Sequence, residues 1–212
     1  MKKKIQLFST VFFMSFYLFV NAQETELEKE SIDLILFNKE ENYKQEDSQR
    51  MFLKVLNPSK NTSFQKIKSE TDQLGFIHDT YQQYFKGIKV EFGIQKLHAK
   101  KGRIISFNKN FFKINELNTT PKLPIEVAFN KAINNIGATK YMWDNSKHFA
   151  THPNYQKPKG ELVIIPNLSF NYKKENNKPF FLAYKFDIYA TEPLSRGDIY
   201  IDAHTGEKVF YN

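Results

Sequence analysis

Five histidines, His78, His98, His148, His152 and His204, are the residues of this 212-residue chain with the widest chemical reach. An imidazole can ligate a metal, act as a base or carry a proton near neutral pH. His148 and His152 have the i, i+4 spacing that puts two zinc ligands on one helix face. Pro153 and the neighbouring Asn and Lys residues oppose a helix there, and position 149 is Phe rather than the Glu a metallopeptidase base requires. The pair therefore reads as a fortuitous surface pair. His78, His98 and His204 fall on or beside expected strands and read as hydrogen-bonded structural residues rather than ligands.

Other chemistry leaves no trace. There is no cysteine, which excludes a thiol nucleophile, a disulfide scaffold, a thiolate zinc site and a lipid anchor on Cys. H-E-x-x-H, G-x-S-x-G, G-x-x-x-x-G-K-[ST] and G-x-G-x-x-G are all missing, so the common hydrolases and nucleotide enzymes are not indicated. We expect no catalytic residue, no metal and no cofactor. The 21 Phe and 11 Tyr are accounted for by core and cross-strand packing.

These residues must be positioned by elements legible from pattern. Lys2, Lys3 and Lys4 precede an apolar run from Leu7 to Val20, about fourteen residues and so shorter than the roughly twenty that span a bilayer. Residues 1–22 read as a secretory signal peptide cleaved near Ala22, which implies a secreted or periplasmic product with no stable membrane anchor. Removing those three lysines from the 31 basic residues leaves 28 against 23 acids, a net charge of +5. The charges are scattered, as on a solvated surface, and no nucleic-acid partner is expected.

Beyond the leader, Leu27, Ile32, Ile35 and Leu36 suggest an amphipathic helix over Glu24–Glu41. A second helix is expected at Asp47–Leu56, with Met51, Phe52, Val55 and Leu56 on one side and Pro58 beyond its end. Strands follow at Ser63–Thr71, Leu74–Phe85, Ile88–Ala99 and Arg103–Phe112, with Lys86-Gly87 and Lys100-Lys101-Gly102 as turns, so neighbours should be antiparallel. Polar residues and prolines between Lys113 and Leu123 mark a boundary. Pro124 then opens the clearest helix, running through Ile136 to Gly137. Ala138–Lys159 reads as an irregular excursion, of a length that is often functional. Strands close the chain at Glu161–Pro166, Ser169–Lys173, Phe180–Ala190, Asp198–Ala203 and Lys208–Tyr211. The fold class is α+β, as two small units that each pack a helix on a curved antiparallel sheet.

The order of residues resembles the propeptide region of secreted thermolysin-like (bacillolysin-type) zinc metallopeptidases, an FTP domain followed by a PepSY domain. In the first unit His78, Tyr81-Gln82-Gln83, Lys86-Gly87, Val90 and His98 follow the family's pattern. In the second, Tyr141-Met142-Trp143, Leu182 to Phe186 and the turn Asp202-Ala203-His204-Thr205-Gly206 are similar to the PepSY helix exit and terminal hairpin. Departures are Thr80 where the family usually has arginine, Lys89 where proline is frequent and Phe92 where glycine is common. The resemblance implies a cystatin-like FTP domain at 23–117 and a PepSY-like domain at 118–212. His78, Tyr81, Gln82, Gln83, Gly87, Val90, His98, Asp202, Thr205 and Gly206 would then be structural or interface residues.

The resemblance further implies a non-catalytic prodomain that inhibits a metallopeptidase catalytic domain and assists its folding, in cis or in trans. That catalytic domain would lie outside this chain, which ends at Asn212. Strand edges and Ala138–Lys159 are the expected docking surfaces. A different reading is a stand-alone secreted or periplasmic binding protein that reuses the PepSY scaffold.

Overall fold

The computed structural model describes residues 33–38, 40–144, 155–169 and 178–212. The expected signal peptide, the His148–His152 pair and most of the expected strand Ser169–Lys173 lie outside them. No helix among the described residues is long and apolar enough to cross a membrane.

Where a helix was expected over Glu24–Glu41, Asp33–Leu36 is a strand, β1. It lies antiparallel on the edge of β5 (Arg103–Lys109), with Ile35 opposite Phe107. Four residues reading Asp-Leu-Ile-Leu fit either period, and an open strand edge decides between them. Ile35 turns toward the core while Leu34 and Leu36 remain exposed.

Helix α1 (Ser48–Leu56) forms as expected, with Met51, Phe52 and Leu56 buried and Asn57 closing it in the left-handed conformation. Its buried face lies on a meander of β2 (Thr62–Thr71), β3 (Phe76–Phe85), β4 (Ile88–Lys100) and β5. Two tight hairpins set the register. Lys86 (φ 48°) with Gly87 (φ 78°), and Lys101 (φ 51°) with Gly102 (φ 73°), place positive φ at both central residues. That combination matches the right-handed twist of the flanking strands.

Helix α2 (Ile125–Ile136) begins immediately after Pro124 and ends at Gly137, φ 69°. Ala128 and Ala132, one turn apart and fully buried, bring its backbone close to the sheet, and Ile125, Phe129, Ile133 and Ile136 flank them. The sheet beneath is formed by β7 (Glu161–Pro166), β8 (Phe180–Glu192), β9 (Leu194–Asp202) and β10 (Lys208–Tyr211). A two-residue strand, β6 (Lys140–Tyr141), pairs with the far end of β8. The β8–β9 hairpin is longer than expected, because pairing continues to Thr191 opposite Leu194 through residues whose Pro, Ser and Gly read as loop.

The expectation of two units, each with its own sheet, needs correction. All ten strands among the described residues belong to one sheet, joined where β4 runs parallel to β7 through Lys89 opposite Val163 and Val90 opposite Ile164. The core under α2 is shared as well. Phe85, Val90, Phe112 and Ile114 from the first half pack with Ile164, Leu182, Phe186 and Ile201 from the second. Burying one apolar face against another is the main driving force available, and a separation here would return those side chains to water.

Candidate functional site

The ten residues singled out by sequence fall into separate neighbourhoods. Tyr81 faces α1. Its ring meets Phe52 edge-on at 4.9 Å, and its hydroxyl donates to Ser48 Oγ at 2.9 Å, so it ties the helix to the sheet. His78 and His98 are directly opposite on β3 and β4, with their Nδ1 atoms 2.6 Å apart. His78 Nε2 reaches Asp72 Oδ2 at 3.1 Å and His98 Nε2 reaches Asn108 Oδ1 at 2.7 Å. The two imidazoles thus form the middle of a four-residue chain across the sheet. Asp72 also accepts the N–H groups of Leu74 and Phe76, which with the His78 contact holds its carboxyl below the usual carboxylate range.

Gln82, Gln83 and Val90 meet at a large bulge. Gln83 stands opposite four residues of β4, Val90 to Gly93. Gln82 Nε2 donates to the carbonyls of Val90 at 2.7 Å and Gln83 at 3.0 Å, and also lies 3.2 Å from that of Gly93. Gln83, fully buried, donates to the Phe112 carbonyl at 2.6 Å and accepts the Phe112 N–H at 3.1 Å. Phe112 in turn meets the Phe180 ring of β8 edge-on at 6.3 Å.

These two amides therefore satisfy the backbone groups that the bulge frees and pin the strand exit onto the other half. Phe92 lies at φ 64°, in the left-handed region where glycine is the least strained residue. Gly93 has no room for a side chain, since a Cβ there would stand 2.9 Å from Gln83 Cβ.

Several residues that sequence reading missed support the bulge. Gln95, fully buried, exchanges hydrogen bonds with the backbone of Asn110, whose Nδ2 donates to the Phe92 carbonyl at 2.8 Å. Glu91 is 7% exposed and lies among Lys89 Nζ at 2.8 Å, the Tyr200 hydroxyl at 3.1 Å and Lys185 Nζ at 3.5 Å. Burial alone would raise the Glu91 carboxyl. The two lysines and the tyrosine outweigh it, and its pKa is lowered from 4.5.

Burial likewise works against the Lys185 ammonium, but Asp198 at 2.8 Å and Glu91 hold it protonated. Burial and the Glu91 charge raise the Tyr200 phenol. Asp79 is a further buried acid, held below the ordinary range against its burial by Gln45 and Lys66, at 2.9 and 2.8 Å. The signal available for Glu91 was a charge inside the apolar stretch Val90-Glu91-Phe92.

Asp202, Thr205 and Gly206 build the turn after β9. Asp202 Oδ1 accepts the N–H groups of His204 at 2.6 Å and Thr205 at 2.9 Å, an Asx turn. Gly206 has φ 76° and packs against Lys131 and Leu123. The Ala203 carbonyl accepts both Lys122 N–H and Leu123 N–H at 3.0 Å, and His204 Nε2 meets the Thr120 carbonyl at 3.1 Å. The turn is the clasp that fastens the inter-element segment to the sheet before α2.

That turn and the Lys86-Gly87 hairpin face one cleft of about 890 Å³, open between the halves. Its walls come from the Lys60-Asn61 turn, Lys86, the segment Asn115 to Asn118, the start of β8 from Lys178 to Leu182, and Asp202, His204 and Thr205. No cluster of three or more His, Asp or Glu with metal-binding geometry occurs among the described residues.

Residues 62–111 match the family model described as Fungalysin/Thermolysin Propeptide Motif. The match covers the meander β2 to β5, including the histidine pair, both glutamines and the bulge. It denotes a propeptide motif and not a catalytic domain. Among solved structures, the Bacillus megaterium YpeB C-terminal domain aligns at 18% identity with a TM-score of 0.36, over 79% of this chain and 62% of that one. The alignment thus spans less than two thirds of that neighbour. No curated protein matches the chain.

Proposed function

We propose that the chain is the non-catalytic prodomain of a secreted thermolysin-like zinc metallopeptidase, and that it inhibits the catalytic domain and assists its folding. The observation that carries this reading is the propeptide motif over residues 62–111. On this reading residues 1–22 are the leader, 23–117 the FTP-like part and 118–212 the PepSY-like part, and the partner is the catalytic domain in cis or in trans. The shared core supports a role as one rigid template, since a body that does not rearrange loses little freedom when it docks. A prodomain that binds the native-like state of its partner more tightly than the unfolded state stabilises it by mass action.

The test is direct. Residues 23–212, added to a cognate thermolysin-like peptidase, should inhibit it at stoichiometric levels and raise its refolding yield from denaturant. Absence of both effects against the natural partner would remove the proposal.

A further inference from the structure

We propose that the cleft between the halves is the docking site for an acidic, extended segment of a partner polypeptide that carries an aromatic or aliphatic side chain. The proposal rests on the reading of the chain as a partner-binding prodomain and adds where, and by what chemistry, the partner is held.

Charge is the first argument. Lys60, Lys86, Lys122 and Lys178 line the cleft, all exposed, against Glu116 and Asp202. The Asp202 carboxylate is turned into its own loop by the His204 and Thr205 N–H groups, so it opposes an incoming anion weakly. Lys86 Nζ reaches the Leu117 carbonyl at 3.5 Å. Lys60, Lys122 and Lys178 make no ion pair among the described residues, so their charges are not offset by a neighbouring carboxylate. Unpaired like charges around one concavity raise the local potential, and a carboxylate-bearing segment relieves it.

The floor is the second argument. Leu117, Phe180 and Phe181 are half-buried and Leu182 lies behind them, so an apolar side chain has a place to leave water between the cations. A volume of about 890 Å³ accommodates several residues of extended chain but no folded element. Both walls are fixed by clasps already described, the Lys86-Gly87 hairpin on one side and the Asp202 turn on the other, so the site exists before its occupant arrives.

The experiment uses residues 1–212 with the natural leader processed by the host, and three fluorescein-labelled nonapeptides as probes. The first is Asp/Glu-rich around a central Phe-x-Leu pair, the second has both apolar residues replaced by Ser, and the third replaces every acid by Lys. We expect the first to bind with a Kd on the order of tens of micromolar, weakening as salt is raised, and the other two at least about tenfold more weakly. The triple variant Lys60→Glu, Lys122→Glu, Lys178→Glu should lose the first peptide by a similar factor. The same three positions changed to Gln should lose less, and both variants should keep the parent's thermal midpoint because the side chains are exposed.

Equal binding of the acidic and Ser-substituted peptides would reduce the cleft to a basic patch and overturn the proposal. So would binding that the Glu triple variant leaves intact. Peptide binding without inhibition of a peptidase would sink the prodomain reading alone. Inhibition that the triple variant leaves unchanged, with no peptide binding, would sink the docking site alone.

Discussion

His78 Nδ1 and His98 Nδ1 lie 2.6 Å apart across the β3–β4 pairing, within hydrogen-bond distance of each other. Asp72 and Asn108 fix the outer nitrogens, and the two rings meet edge to face with centroids 4.9 Å apart. A double-mutant cycle should expose the coupling. His78→Phe and His98→Phe, alone and together, followed by urea unfolding, should give an interaction energy of about 1 kcal/mol. Strict additivity would show that the contact contributes nothing.

Gln83→Leu leaves the buried N–H and C=O of Phe112 without their partner. The expected loss is about 2 to 4 kcal/mol, read as a lower denaturant midpoint. Because Phe112 packs on Phe180, the fluorescence of an added reporter in the second half should change in the same transition. A loss below about 0.5 kcal/mol would mean that water replaces the amide without cost.

Asp202→Ala removes the acceptor for His204 N–H and Thr205 N–H, at a cost of about 1 to 2 kcal/mol. The clasp on Lys122 and Leu123 loosens with it. Amide exchange at those two residues should accelerate well before global unfolding, and uniform exchange across the sheet would contradict the clasp.

Glu91 links acid sensitivity to the join between the halves. Its folded-state pKa is lowered from 4.5, so the stabilisation it supplies is present above that value and lost as pH falls through the lower, folded one. The thermal midpoint should therefore drop steeply below about pH 4.5. Glu91→Gln should be less stable at pH 7, because Lys89 and Lys185 lose the one carboxylate they share, and its midpoint should fall less steeply in acid. Parallel curves for the two proteins would exclude Glu91 as a source of that slope.

What could be read without coordinates follows from physics within a few residues. Glycine at φ 78° and 73° makes Lys86-Gly87 and Lys101-Gly102 turns wherever they occur, and apolar spacing from Ile125 to Ile136 makes a helix before Gly137. The residues Tyr81-Gln82-Gln83 and Asp202 to Gly206 stood out in the chain, but nothing in their types said what they hold.

Tertiary structure alone decided the rest. β1 is a strand only because β5 offers an unpaired edge some seventy residues away, and the two halves share a sheet because a four-residue bulge turns Lys89 and Val90 toward β7. The Glu91 cluster unites positions 89, 91, 185, 198 and 200, and the cleft unites positions from 60 to 205. Such groupings arise from burial and hydrogen-bond satisfaction summed over the whole fold, and local pattern carries no record of them.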